Sequence, residues 1–142
     1  MTTIAYDGKT LVTDSQVTLD GKRFGKTQKI FRLHSRAVLA IAGSMDVSYE
    51  IMRWLNGDAE KPALDKEQDD FEALVIEPDG SAWEIAPGLR RFPACIPWSG
   101  GTGGIVAMTA MRCGKTAQEA VELACEIDTK SSGPLQIHLV AV

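Results

Sequence analysis

Apolar and polar residues alternate with a period of two through the first part of the chain, and the period lengthens towards 3.6 in three later places. Residues 2–6 and 9–13 are β-branched and apolar runs on either side of Asp7-Gly8, a dipeptide suited to a hairpin turn. Residues 28–33 and 37–43 are apolar enough to be strands packed on at least one face. Residues 44–57 read as a helix: Ser44 can cap it, Val47, Ile51, Trp54 and Leu55 share a face, and Gly57 ends it. A polar, acidic loop over 58–70 leads to a second hairpin over 72–87, turning at Pro78-Asp79-Gly80. Residues 92–98 read as a short proline-bounded strand before a glycine-rich turn over 99–104. Two helices follow. The first, 105–114, is built of small residues and closed by Gly114. The second, 116–127, has a capping box from Thr116 to Glu119 and a stripe of Ala117, Ala120, Val121, Ala124 and Ile127. Residues 136–142 form the last strand. Hairpins in series with helices grouped between them imply sheets covered by helices, an α+β layered architecture. With no internal repeat and no linker, a single domain over 1–142 is expected.

Composition narrows the function classes. Over 142 residues, 44% are hydrophobic and 24% charged, which is ordinary globular usage and argues against disorder. A formal net charge of -4 makes nucleic acid and anionic membrane poor partners. The local basic stretch Lys22, Arg23, Lys26, Lys29 reads mostly as a solvated face. No apolar run approaches the ~20 residues of a membrane span, and the first residues lack the charged and apolar regions of a secretory leader. Three widely spaced cysteines (Cys95, Cys113, Cys125) fit reduced, mostly buried thiols in the cytoplasm. Several motifs fail. The run ending in Gly114-Lys115-Thr116 has Thr109 where a phosphate-binding loop needs glycine, and 100–104 lacks the spacing of a dinucleotide fingerprint. His34 and His138 have no ligand-like companions, so neither metal nor cofactor is expected.

The chemistry with most promise lies at the start. A threonine hydroxyl is a weak nucleophile unless a base sits beside it, and a free α-amine on the same residue, with a pKa of about 7.7–8.0, is such a base. Met1 precedes a small side chain and so is open to removal, which would leave Thr2 leading the chain. A three-residue turn at Asp7-Gly8-Lys9 would place Asp14 opposite Thr2, although a slip of one residue would alter that register.

These residues, with the strand after them, resemble the start of a proteasome β-subunit, and more closely the bacterial HslV-type peptidases. The resemblance rests on Thr2-Thr3, on Asp14, Ser15 and Thr18 in a D-S-x-x-T setting with Gly21 three residues on, and on Lys29 in the next strand. It continues through Ala42-Gly43, through Gly101-Thr102-Gly103-Gly104, where threonine replaces serine, and through Asp128, Ser131 and Gly133, with Ser132 intervening. It implies a four-layer αββα N-terminal-nucleophile hydrolase sandwich. It also implies a Thr2 nucleophile, Lys29 as the cation that eases its ionisation, Asp14 orienting Lys29, and Gly43 N–H in the oxyanion hole. Thr102, Asp128 and Ser131 would support the amine, Thr18 would pair with an extended substrate, and Ile41 would floor a specificity pocket. Peptide or unfolded-protein substrates and a homo-oligomer follow from the same resemblance, with an ATPase partner left open. The chain departs from the family in a shorter first hairpin and in the acidic loop standing where a second helix is usual, a trimming that resembles proteasome-like proteins of phage genomes. One sheet face is therefore expected to be short of helix cover. Three readings stand: a threonine peptidase, a catalytically silent assembly or scaffold protein of the same fold, and a nucleophile acting on a small amide.

Overall fold

The computed structural model describes residues 2–19, 22–65 and 69–140; Met1 and Gly21, both named above, lie outside them. In chain order the strands are β1 (Thr3–Tyr6), β2 (Thr10–Thr13), β3 (Gln16–Leu19), β4 (Lys22–Lys26), β5 (Ile30–Arg32) and β6 (Val38–Gly43). Helix α1 (Met45–Leu55) precedes β7 (Phe71–Ile76), β8 (Ala82–Ile85), β9 (Arg91–Pro93) and β10 (Trp98–Gly101). Helices α2 (Gly104–Arg112) and α3 (Ala117–Ile127) then lead to β11 (Gln136–Leu139).

The strands form a four-stranded sheet in the order β10-β1-β2-β11, a five-stranded sheet in the order β5-β6-β7-β8-β9, and the separate hairpin β3-β4. Alternation along β1 decides the layers. Ile4 and Tyr6 point between the sheets, where with Leu11 they meet Val38, Ala40, Leu74, Ile76 and Trp98. Ala5 and Val12 face the other way and pack against Ala107 and Ala110 of α2 and Ala117, Ala120 and Val121 of α3. Alanines on both sides let these helices sit close to the sheet. On the far side Val47 and Ile51 of α1 pack on Leu39, Ile41, Phe71 and Val75, and burying each of those two side chains contributes roughly 1.5–3 kcal/mol. The result is the expected four-layer αββα sandwich. Among the described residues α1 is the one helix on the five-stranded sheet, and Leu64 of the acidic loop adds cover beside it.

Local readings change in five places. The first hairpin pairs Ile4 with Thr13 and Tyr6 with Leu11, so the loop has four residues and Asp14 stands opposite Thr3, one place from the expected register. Asp7 accounts for the longer loop, because its carboxylate accepts the N–H groups of Lys9 (2.9 Å), Thr10 (2.8 Å) and Ala117 (3.0 Å). The β3-β4 hairpin was not anticipated. The strand expected over 92–98 is divided between β9, on β8, and β10, whose Ser99–Gly101 pair with β1 rather than forming a turn. Ile127 is 61% exposed instead of completing the α3 stripe, since α3 ends there and the chain leaves the sheet. Finally, Cys95 and Cys113 are exposed and all three thiols are free.

Candidate active site

Thr2 lies just ahead of β1, a central strand held by β10 on one side and β2 on the other. Its position is fixed by main chain approaching main chain. At Gly101, whose φ of +85° already favours glycine, a Cβ would come within 1.7 Å of the Thr2 carbonyl oxygen. At Gly103 a Cβ would come within 1.9 Å of Thr3 Oγ1. The glycines over 99–104 therefore form a collar around the first two threonines.

Asp14 follows the end of β2, with its N–H bonded to the Thr3 carbonyl (3.2 Å) and its carboxylate fully buried. Oδ1 accepts from the Thr2 hydroxyl, from Thr3 N–H (3.1 Å) and from Lys29 Nζ (2.8 Å). Oδ2 accepts from the N–H groups of Gln16 (3.2 Å) and Ser132 (3.0 Å). Five donors on one buried carboxylate satisfy a charge that would otherwise be costly. The shifted register is harmless because Asp14 lies beyond the last ladder pair, where its side chain is free to turn back to Thr2.

Lys29 enters from just before β5, and its Nζ donates to Thr2 Oγ1 at 2.5 Å. The hydroxyl thus accepts from a cation and donates to a carboxylate. Burial pushes the Lys29 pKa below its ordinary value, and the neighbouring Asp14 only partly offsets this. A cation hydrogen-bonded to a hydroxyl favours the alkoxide form, and Asp14 keeps that cation in line.

Thr2 and Lys29 open onto a cavity of about 600 Å³. Thr18, Ile41 and Gly43 line it, together with Gln16, Val17, Phe31, Met45, Tyr49 and Met52. Gly43 is close-packed: a Cβ there would be 3.0 Å from Phe71 Cβ and 3.2 Å from the Asp70 carbonyl. Gln16 donates through Nε2 to Thr18 Oγ1 (3.0 Å) and to the Thr129 carbonyl (3.2 Å), while its buried Oε1 has no partner among the described residues.

Thr102, Asp128 and Ser131 form a second cluster, and none of the three lines the cavity. Both hydroxyls donate to Asp128 Oδ2 at 2.6 Å, and Ser131 Oγ lies 2.7 Å from Thr3 Oγ1. Burial alone would raise the Asp128 pKa, but donation from Ser131 and Thr102 outweighs it and holds the carboxyl below its ordinary range. This cluster reaches the first strand through Thr3. The nine candidate residues are therefore divided: Thr2, Asp14 and Lys29 touch, Thr18, Ile41 and Gly43 share their cavity, and Thr102, Asp128 and Ser131 stand behind Thr3. Sequence reading missed Thr3 as the link, Gln16 on the wall and Gln136 beside Lys29. Of these only Gln16 carried a signal, its place between Asp14 and Thr18. Among the described residues no group of His, Cys, Asp and Glu side chains could hold a metal ion, and no helix is long and apolar enough to cross a membrane.

No protein-family model matches the chain, and no curated protein matches it. Solved structures do. BPH of Thiobacillus denitrificans superposes with a TM-score of 0.71 at 16% identity, covering 99% of this chain and 98% of its own. The same protein in complex with epoxomicin gives 0.70 at 15%, covering 99% of each chain. HslV from Trypanosoma brucei gives 0.73 at 20%, covering 96% of this chain and 97% of that one. These superpositions extend over nearly the full length of each chain, and the chain has the αββα fold shared with HslV from Trypanosoma brucei and BPH of Thiobacillus denitrificans.

Proposed function

We propose that the chain is a proteasome-type threonine peptidase in which removal of Met1 exposes the α-amine of Thr2. The observation that carries this reading is the Thr2 hydroxyl held between Lys29 and Asp14 at the mouth of an apolar cavity. In the proposed reaction Thr2 Oγ1 attacks the scissile carbonyl carbon, and its proton passes to the Thr2 amine. Gly43 N–H receives the oxyanion, an interaction worth roughly 2.7–4 kcal/mol where single donors have been removed elsewhere. The C–N bond then breaks, the amine returns its proton to the leaving nitrogen, and water hydrolyses the resulting ester.

The roles of the other residues follow. Asp14 orients Lys29, and Thr102, Asp128 and Ser131 support the amine through the Thr3 hydroxyl. Thr18 pairs with an extended peptide. Ile41 and the two methionines receive an apolar side chain on the acyl side of the cleaved bond. The chain works in the cytoplasm as a homo-oligomer on peptides or unfolded proteins. A chain that keeps Met1 has the Thr2 nitrogen locked in a peptide bond, unable to act as base; the alternative reading is a catalytically silent assembly or scaffold protein of the same fold.

Epoxomicin, the compound bound in the Thiobacillus BPH complex, is the direct test. Wild type and Thr2→Ala are incubated with it and read by intact mass and peptide mapping. The expected result is a Met-free wild type carrying one adduct on Thr2, and no adduct on Thr2→Ala. Assembled, Met-free wild type without an adduct would transfer the assignment to the scaffold reading.

A further inference from the structure

Beside Lys29 lies a side chain with no place in the chemistry described so far. Gln136 is the first residue of β11, the edge strand of the four-stranded sheet, whereas Lys29 precedes β5, the edge strand of the other sheet. The Gln136 amide spans the gap. Its Oε1 accepts from Lys29 N–H at 2.8 Å and from Ile30 N–H at 3.3 Å, and its Nε2 donates to the Thr27 carbonyl at 2.7 Å. Thr27 N–H is bonded in turn to the Ser15 carbonyl at 2.9 Å, and Ser15 N–H to the Ser132 carbonyl at 2.9 Å. One primary amide thus supplies the segment entering β5 with the donor and acceptors that a neighbouring strand would supply. Gln136 itself is held in register against Thr13, one residue before Asp14. The backbone carrying the cation and the backbone carrying the carboxylate are thereby referenced to the same strand.

We propose that Gln136 is the positioning residue for Lys29: its amide fixes the backbone at Thr27–Ile30 so that the ammonium meets Thr2 Oγ1 and Asp14 together. This rests on the peptidase reading for its consequence in catalysis, but not for its geometry. Three bonds from one planar group leave the segment neither translation nor rotation, and an apolar side chain of equal length replaces none of them. Loosening the segment lets Nζ reach water, so the Lys29 midpoint rises. The groups facing Nζ are the Thr2 hydroxyl and Asp14 carboxylate, in contact, the Thr2 amine once Met1 is removed, and, at longer range, the Cys125 thiol and Asp128 carboxylate from the region of α3. None of them changes in the variants below, and Gln136→Glu adds one carboxylate of its own.

The test uses the full chain as wild type, Gln136→Met and Gln136→Glu, with Lys29 assigned by Lys29→Arg. The Lys29 midpoint is read from the ¹³Cε shift of labelled lysine, and Thr2 reactivity from the rate of epoxomicin labelling. In Gln136→Met the midpoint is expected to rise towards the ordinary lysine value and labelling to slow at least tenfold. Gln136→Glu keeps the shape and both acceptor bonds, but once ionised it sets a carboxylate oxygen against the Thr27 carbonyl. Its labelling rate is expected to approach wild type at acid pH and to fall away as that carboxyl ionises. A Lys29 midpoint unchanged in folded Gln136→Met overturns the proposal, and if Gln136→Met does not fold, the labelling of Gln136→Glu decides, a rate that follows wild type across pH overturning it. Wild type left unlabelled while the midpoint still moves in the variants overturns the peptidase reading and leaves the positioning role standing.

Discussion

Removing Lys29 is expected to have two measurable effects, because the residue faces the hydroxyl on one side and balances a buried carboxylate on the other. Lys29→Ala should abolish labelling at Thr2. It should also destabilise the fold by about 3–5 kcal/mol in urea titrations, the usual cost of leaving a buried charge without its partner. An exposed strand lysine would move stability by no more than ~0.5 kcal/mol. Lys29→Arg should recover part of the stability and none of the labelling, since a planar guanidinium cannot take the place of a compact ammonium between two oxygens. Asp128 makes a separate prediction. Its folded pKa lies below its ordinary 3.8, so its stabilising contribution is complete above about that pH and is lost as pH falls through the lower folded value. Acid titration of unfolding should therefore show a steeper loss in wild type than in Asp128→Asn, and equal slopes would contradict the assignment. At this scale Thr2 was legible from its place behind a removable Met1, and Asp14 and Lys29 from the family resemblance; the structure brings the three side chains into contact. Gln136 was invisible: it lies 107 positions from Lys29, and nothing in a strand-forming glutamine announces what its amide will meet.

Among the elements, the β10-β1 ladder sets the tolerance of the site. Gly101→Ala puts a Cβ into the Thr2 carbonyl and forces a non-glycine residue to a φ of +85°. The conformational strain alone costs roughly 1–3 kcal/mol. The expected outcome is a lower melting temperature together with loss of epoxomicin labelling. Gly114→Ala serves as control, because it too has positive φ but a Cβ there meets nothing within 4 Å; it should lose stability and keep labelling. Helices and capping were legible because their signals are local: Ser44 accepts from Val47 N–H, and Thr116 and Glu119 form the capping box. Pairing was less so. The Asp7 carboxylate, by reaching Ala117, makes a four-residue loop preferable to a three-residue one, and that partner is 110 positions away. The β3-β4 hairpin had a usable signal in Asp20-Gly21, but the surrounding lysines and arginine suggested a solvated face instead.

Taken whole, the molecule leaves large apolar side chains in solvent on its helical layer, where Ile105 is 84% exposed and Leu123 and Ile127 join it. Such area favours self-association. Sedimentation at micromolar concentration is expected to show a homo-oligomer, and a stable monomer would remove this prediction. The layered α+β class was readable from element order, since hairpins separated by helices admit few packed arrangements; the αββα order came from the family resemblance, and which strands would be neighbours was not readable. That neighbour order has a consequence in time. Among the described strands the one behind Thr2 is synthesised before the others, yet one of its two neighbours is residues 98–101. Asp14 and Lys29 wait longer still, for Ser132 and Gln136. At roughly 5–20 residues per second, the Thr2 end of a nascent chain lacks the β10 side of its ladder for several seconds and cannot take its final shape until residue 136 has emerged. A ribosome that stalls before residue 98 releases a fragment in which Thr2 has neither the β10 strand beside it nor the Gln136 amide that holds the Lys29 segment.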